Sequence, residues 1–227
     1  MARIVVAGAG AAGASVAYHL SELGADDVVL CDRGSVAGGA TAKAMGGVRQ
    51  QFSTAAEVRL AQASIRFFEE LGSPFFDQVG YLFLATTDAG LAELEERAEL
   101  QRSLGVPVVA TTAPAWMRSD DVVGAVVCWQ DGVADPPGVA RELARRASAR
   151  GVEVRQDEDA TTLAGDVFVI AAGSATPSFQ QATAPTTSSS RTPAGTRARS
   201  TGTPSDRCNA IRSSSRPSPA GVVATNR

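Results

Sequence analysis

The chain has one histidine, His19, one lysine, Lys43, and three cysteines, Cys31, Cys128 and Cys208. Three widely separated cysteines and one histidine offer no metal-ligand spacing, so no metal site is expected. His19 falls in a helical stretch and reads as a helix-surface or packing residue. No apolar run is long enough to cross a bilayer, so no membrane partner is expected. The N-terminus enters a strand at once, without a signal-peptide pattern. The net charge of −3 argues against nucleic acid. Cys31 and Cys128 sit in apolar runs and read as small buried hydrophobes, which with the rest places the protein in the cytoplasm.

What is present begins with Arg3 to Arg33, RIVVAGAGAAGASVAYHLSELGADDVVLCDR. Ile4-Val5-Val6-Ala7 is a short apolar run of the kind found in buried parallel strands. Gly8, Gly10 and Gly13 follow in G-x-G-x-x-G spacing, then an amphipathic stretch from Ala14 to Leu23 ends at Gly24. A second apolar run, Val28 to Cys31, ends in Asp32. The order is strand, glycine turn, helix, strand, acid. Gly8 permits a tight turn, Gly10 lets a pyrophosphate approach the backbone, and Gly13 lets the helix pack closely on the strand. The helix N-terminus turns unpaired N–H groups toward phosphate. Asp32 lies 19 positions after Gly13, near the roughly 20 expected of an acid that takes a ribose hydroxyl. This context predicts dinucleotide binding.

Further along, Arg33 to Gly47 is a Gly- and Ala-rich loop, too poor in large apolar residues for core but suited to lie against a ligand. Thr54 and Glu57 have capping-box spacing for a helix ending at Gly72. Val79 to Thr86 reads as a strand, and Asp88 as the cap of a helix from Ala89 to Leu104. Val106 to Ala110 and part of Val122 to Trp129 read as strands, with a short helical turn from Ala113 to Arg118 between them. Asp131-Gly132 marks a turn. A helix from Pro137 to Arg150, a strand at Val152 to Val154 and a strand at Asp166 to Ala172 follow. Elements alternate as in an α/β fold.

After Gly173 the composition changes. Ser174 to Arg227 holds eleven Ser, nine Thr and seven Arg against one acid, Asp206. Without a sustained apolar period this segment is expected to be a disordered, low-complexity tail.

Four stretches carry a family resemblance: GAGAAG with Asp32, GGATAKAMGGVRQQFST from Gly38 to Thr54, DGVADP from Asp131 to Pro136, and VFVIAAG from Val167 to Gly173. In this order they resemble the FAD-dependent oxidoreductases of the D-amino-acid oxidase and sarcosine oxidase/dehydrogenase type, near the β-subunit-like branch. The resemblance implies a Rossmann-like FAD-binding domain, residues 1–78 and 131–173, and part of an inserted α+β substrate domain, residues 79–130. It implies that Gly8, Ala9, Gly10, Ala12 and Gly13 hold the FAD pyrophosphate, and that Asp32 and Arg33 meet the adenosine ribose. Gly39, Ala40 and Thr41 would run past the pyrophosphate and ribityl chain. Gly46, Gly47, Val48 and Arg49 would lie at the isoalloxazine ring, Ala160 at adenine, and Ala172 and Gly173 over the cofactor. No residue matches a covalent attachment point, so FAD would be noncovalent.

The implied reaction is oxidation of a C–N bond in a small amine or N-methylated amino acid, with Arg49 binding a substrate carboxylate or stabilising reduced-flavin charge. The flavin carries the chemistry, so no triad or metal cluster is needed. The family continues well past the AAG strand, and nothing recognisable follows here. The chain is therefore expected to be incomplete, with little turnover, and the residues from about Ser174 to read as a shifted frame of a GC-rich gene. Two alternatives stand beside the enzyme: a catalytically inactive dinucleotide-binding fragment, and an NAD(P)-dependent dehydrogenase.

Overall fold

A computed structural model describes residues 2–115 and 121–173, all within one compact unit. The expected tail lies outside the described residues, as does much of the helical turn expected at 113–118. A four-stranded parallel sheet forms the base, built from β1 (Ile4–Ala7), β2 (Val28–Cys31), β9 (Glu153–Arg155) and β10 (Val167–Ile170) in the order β10-β1-β2-β9. In register, Ile4 pairs with both Val28 and Val167, and Ala7 with both Cys31 and Ile170. β1 is central because its residues can be buried on both faces.

The sheet's alternation sorts those residues. Val6, Val28 and Leu30 face α1 (Ala11–Glu22) and α4 (Pro136–Ala149), whose Ala14, Ala17, Ala140, Leu143 and Ala147 complete one core. Val5, Ala7, Val29 and Cys31 point to the other side, where Ala160 of a 3-10 turn over Ala160–Thr162 covers them. Alanines on both helices bring their backbones close to the sheet.

Two antiparallel sheets stand beside this base. One is β3 (Gly47–Val48), β8 (Gly132–Ala134) and β4 (Phe76–Asp77), with β8 in the middle. The other is β5 (Tyr81–Ala85), β7 (Gly124–Cys128) and β6 (Val108–Thr111), again with the later strand central. The helices α2 (Ala55–Leu71) and α3 (Asp88–Ser103) adjoin the second sheet, with Val58, Ala98, Val106, Val108, Val126 and Cys128 in one cluster.

The boundaries follow local chemistry, with four differences from expectation. Thr54 caps α2 as its spacing with Glu57 predicts: its Oγ1 accepts from the Glu57 N–H at 3.3 Å. The cap of α3, however, is Thr87, whose Oγ1 accepts from the Gly90 N–H at 3.1 Å, and Asp88 is the first helical residue. The helix α1 starts at Ala11, three residues before the first apolar position of the amphipathic stretch, because the turn residues themselves are helical. The chain turns at Trp129-Gln130, and Gly132 opens β8 instead of closing the turn. The loop after Asp32 also reaches the core. Ala37 is buried, with left-handed φ 62°, and its N–H donates to the Ala9 carbonyl at 2.9 Å.

Candidate functional site

The carboxyl ends of β1, β2 and β10 converge on a cleft of about 700 Å³. Crevices at this end of a parallel sheet are where open α/β folds take ligands. Gly8 leaves β1 with φ +105°, and a Cβ there would meet the Ala171 carbonyl oxygen at 2.5 Å. A Cβ on Gly13 would lie 1.7 Å from the Gly8 oxygen, so α1 can seat against the turn only because residue 13 is glycine. Gly10 is the N-cap of α1 and offers no side chain to it, and the first turn holds no acid. The N–H of Ala11 instead donates to Thr41 Oγ1 at 3.0 Å, from a 3-10 turn over Ala40–Lys43.

Asp32 follows β2 and reaches back across the crest. Its Oδ2 accepts from the Ala9 N–H at 2.7 Å and its Oδ1 from the Gly34 N–H at 2.9 Å. It thus ties the glycine turn to the next loop while keeping one lone pair on each oxygen for a ligand hydroxyl. On the far wall, Asp159 caps the Ala160 turn by accepting from the Thr161 N–H, which holds its carboxyl below the usual range. Burial pushes the Cys31 thiol up to about 11, with Glu158 and Asp32 adding to it, so Cys31 is a neutral wall of the cleft.

Of the residues singled out from sequence, Gly8, Gly10, Ala12, Asp32, Arg33, Gly39, Ala40, Thr41, Ala160, Ala172 and Gly173 line this cleft together. Ala9 and Gly13 are buried behind it. Gly46, Gly47, Val48 and Arg49 are not among its lining; they lie on and beside β3. Gly46 has φ +79°, and a Cβ there would meet the Ala134 oxygen at 2.1 Å, so this glycine serves the seam between β3 and β8. Sequence reasoning missed Ala11, Gly34, Asp159 and Thr161, which also line the cleft. The Asp159-x-Thr161 turn spacing was the available signal.

Arg49 lies among three rings, its Cζ 4.9 Å from the centroid of Phe52, 5.1 Å from Phe83 and 5.7 Å from Tyr81. Among the described residues no acid pairs with it. Beside it is a small cavity of about 100 Å³, lined also by Gln51, Phe52, Ser53, Phe83 and Arg97. Next to this, Asp131 is wholly buried; the sequence reads it as a turn residue and as the start of the DGVADP stretch, and gives it no role in the site. It accepts from the Gln50 N–H at 2.9 Å, Gln50 Nε2 at 3.3 Å and Gln51 Nε2 at 3.1 Å. Burial raises its carboxyl above the ordinary value, against the lowering effect of those bonds. Burial also pushes the neighbouring Cys128 thiol up to about 12.

Among the described residues no group of His, Cys, Asp and Glu could hold a metal ion, and no helix is long and apolar enough to cross a membrane.

Comparison with known proteins matches residues 3–206 to the family described as FAD dependent oxidoreductase, DAO. Human mitochondrial sarcosine dehydrogenase is 33% identical over 165 residues, which cover 67% of this chain and 18% of that protein. The mouse mitochondrial pyruvate dehydrogenase phosphatase regulatory subunit is 32% identical over 165 residues, covering 67% of this chain and 19% of that protein. The chain therefore spans about a fifth of the length of these curated relatives. Among solved structures, L-proline dehydrogenase from P. horikoshii superposes with a TM-score of 0.65 at 28% identity, covering 69% of this chain and 44% of that one.

Proposed function

Because this chain belongs to the family of FAD-dependent oxidoreductases, we propose that it binds FAD noncovalently in the cleft at the crest of its parallel sheet and serves oxidation of a C–N bond in a small amine or N-methylated amino acid. The observation that carries this reading is the pairing of an α1 N-terminus without a cap from its own residues with Asp32 poised at the end of the next strand. Gly8, Gly10, Ala11 and Ala12 would meet the pyrophosphate, where the positive end of the helix dipole favours anionic oxygens. Asp32 would take the ribose hydroxyls on its free lone pairs. Gly39 lines the same path, and a Cβ there would touch no protein atom.

FAD, when bound, supplies the hydride acceptor that turns the amine into an imine for water to hydrolyse. The chain's own residues bind and orient. Arg49 presents guanidinium N–H groups that no protein carboxylate occupies among the described residues, which suits the carboxylate of an amino-acid substrate. The reading divides the chain into a Rossmann-like FAD-binding part, residues 1–78 and 131–173, and a partial substrate part, residues 79–130. The parallel sheet and the β5-β7-β6 sheet support that division. A cytoplasmic setting rests on the free, buried Cys31 and Cys128.

Equilibrium titration of the purified protein with FAD and with NAD tests the cofactor. FAD uptake with a flavin spectrum is expected, and preference for NAD would overturn it. Acid precipitation should leave the flavin in the supernatant. Turnover with N-methylated amino acids tests the activity.

A second reading is a binding module without catalysis. It is favoured by the likeness to a protein named as a regulatory subunit, which is as similar to this chain as the dehydrogenase is. FAD uptake without reduction by any amine would select it. The family match runs past Gly173 to residue 206, which weighs against a change of reading frame at Ser174. Translating the other two frames decides that point.

A further inference from the structure

Asp131 is the only acid among the buried polar residues of the described chain. No arginine or lysine pairs with it there; its hydrogen bonds come from neutral donors. Burying a carboxylate on those terms is expensive, and an apolar residue of similar size would commonly be more stable. The donors identify what it holds. Three belong to Gln50 and Gln51, the two residues that follow Arg49, and the fourth is the thiol of Cys128, the residue paired with Tyr81 between β7 and β5. Gln51 Nε2 also donates to the Tyr81 carbonyl at 2.8 Å, and the Tyr81 ring is one wall of the Arg49 cage. The two acceptors, Tyr81 O and Asp131 Oδ2, fix which way the Gln51 amide points, and they leave its buried Oε1 without a protein partner. The carbonyl of Asp131 accepts from the Gly80 N–H at 2.8 Å, which fixes the start of β5 that carries Tyr81.

We propose that Asp131 is the positioning residue for Arg49: by holding Gln50, Gln51 and the Tyr81 segment at once, it sets the guanidinium among its three rings with its N–H edges directed to a ligand. The proposal rests on the reading that Arg49 meets substrate or flavin. Rings engage the face of a guanidinium and leave its in-plane donors free. Small rotations of the strand carrying Arg49 would therefore aim those donors elsewhere without unfolding the sheet.

The first test needs no cofactor. In the wild-type protein the ring currents of Phe52, Tyr81 and Phe83 should displace the Arg49 Nε–H and Cδ proton resonances, identified by their loss in Arg49→Lys. Asp131→Asn keeps the size of the side chain but puts an NH2 in place of one acceptor oxygen, against either the Gln51 Nε2 donor or the two Gln50 donors. It should return those resonances to ordinary arginine values while the amides of β1 and β2 stay in place. Leu143→Ala, a core truncation on α4, should lower the melting temperature and leave the Arg49 resonances displaced. Unmoved resonances in Asp131→Asn, or equal loss in Leu143→Ala, would overturn the proposal. If Asp131→Asn does not fold, Gln51→Leu carries the same test, because it cuts the link to Tyr81 with Asp131 kept. The second test uses the FAD-loaded protein. Asp131→Asn should raise KM about tenfold for an N-methyl amino acid and leave KM for a simple secondary amine unchanged. Equal effects on both would count against positioning. Absence of all turnover in wild type would instead remove the functional reading and leave the resonance test standing.

Discussion

The crest of the parallel sheet and the junction of the two antiparallel sheets are both places where loops converge, and they are held by different means. At the crest the parts are small. Gly8, Gly10, Gly13, Ala37 and Ala171 let backbones approach until carbonyls and N–H groups do the joining, and Asp32 is a part-buried acid that bridges the N–H groups of Ala9 and Gly34. At the junction the parts are large and buried: Asp131, Gln50, Gln51 and the aromatic wall around Arg49. The first arrangement leaves backbone donors facing a cleft. The second uses up its donors internally and leaves one guanidinium over. The lesson is that a cofactor can be met by backbone, which any sequence supplies, whereas an arginine has to be aimed by side chains.

Substitutions can break this contrast, beginning with the largest effect. Gly13→Val places a branched side chain where even a Cβ overlaps the Gly8 oxygen. It should cost more than about 4 kcal/mol, in the range reserved for severe backbone or packing failure, and calorimetry should find no folded protein. Asp131→Ala comes next. It strands three donors on Gln50 and Gln51 and should cost about 3 kcal/mol, at 1–3 for each unsatisfied buried group with some relaxation. Urea denaturation should show the midpoint fall while FAD affinity per folded molecule holds. Asp32→Ala should do the reverse. It loses bonds to Ala9 and Gly34 worth about 1–2 kcal/mol in stability, yet FAD affinity should fall at least tenfold by titration. Equal affinity would mean that Asp32 only ties loops.

Two carboxylates sharpen the comparison through pH. Glu142 on α4 is held at about 2, against an ordinary 4.5, by hydrogen bonds from Arg145 and Arg146. Its contribution is therefore complete above about 4.5 and is lost as pH falls toward 2. Asp131 is shifted the other way, so its charged form costs stability as pH rises above its ordinary 3.8. Stability measured between pH 2 and 7 should lose its acid-side slope in Glu142→Gln, by under about 1 kcal/mol for surface pairs, and should lose the opposing decline in Asp131→Asn. The smallest effect is expected of Gly39→Ala, where an added Cβ touches nothing. FAD affinity should drop a few-fold by titration, a small loss beside that of Asp32→Ala.

The crest was legible in the sequence because its demands are local. Three glycines, a helix and an acid fall within 30 residues, and each position answers to backbone sterics. The Thr54 cap was legible for the same reason. Thr87 and Asp88 are adjacent and both can cap, so only the hydrogen bond to Gly90 decides between them. Strands of two residues, such as Gly47–Val48 and Phe76–Asp77, have no period to read and exist only through β8. Asp131 is the clearest failure of local reading. An Asp-Gly pair signals a turn, but Asp131 is claimed by residues 80 and 81 positions earlier in the chain. Arg49, placed at the flavin ring by resemblance, lies among aromatic rings gathered from a loop and a strand whose meeting no spacing announces.

The pairing of β10 with β1 has a consequence for how the protein is made. Ile4 waits for Val167, 163 positions away, before β1 becomes an inner strand of the sheet. Ala171, Ala172 and Gly173, which wall the cleft, leave the ribosome after nearly everything else that lines it. At about 5–20 residues per second, the glycine turn emerges on the order of ten seconds before its far wall does. Through that interval the edge of β1 that pairs with β10 has no partner strand, and the cleft lacks the lining from Ala171, Ala172 and Gly173. FAD added to a translation reaction should therefore protect nascent chains from protease only once residue 173 has cleared the exit tunnel.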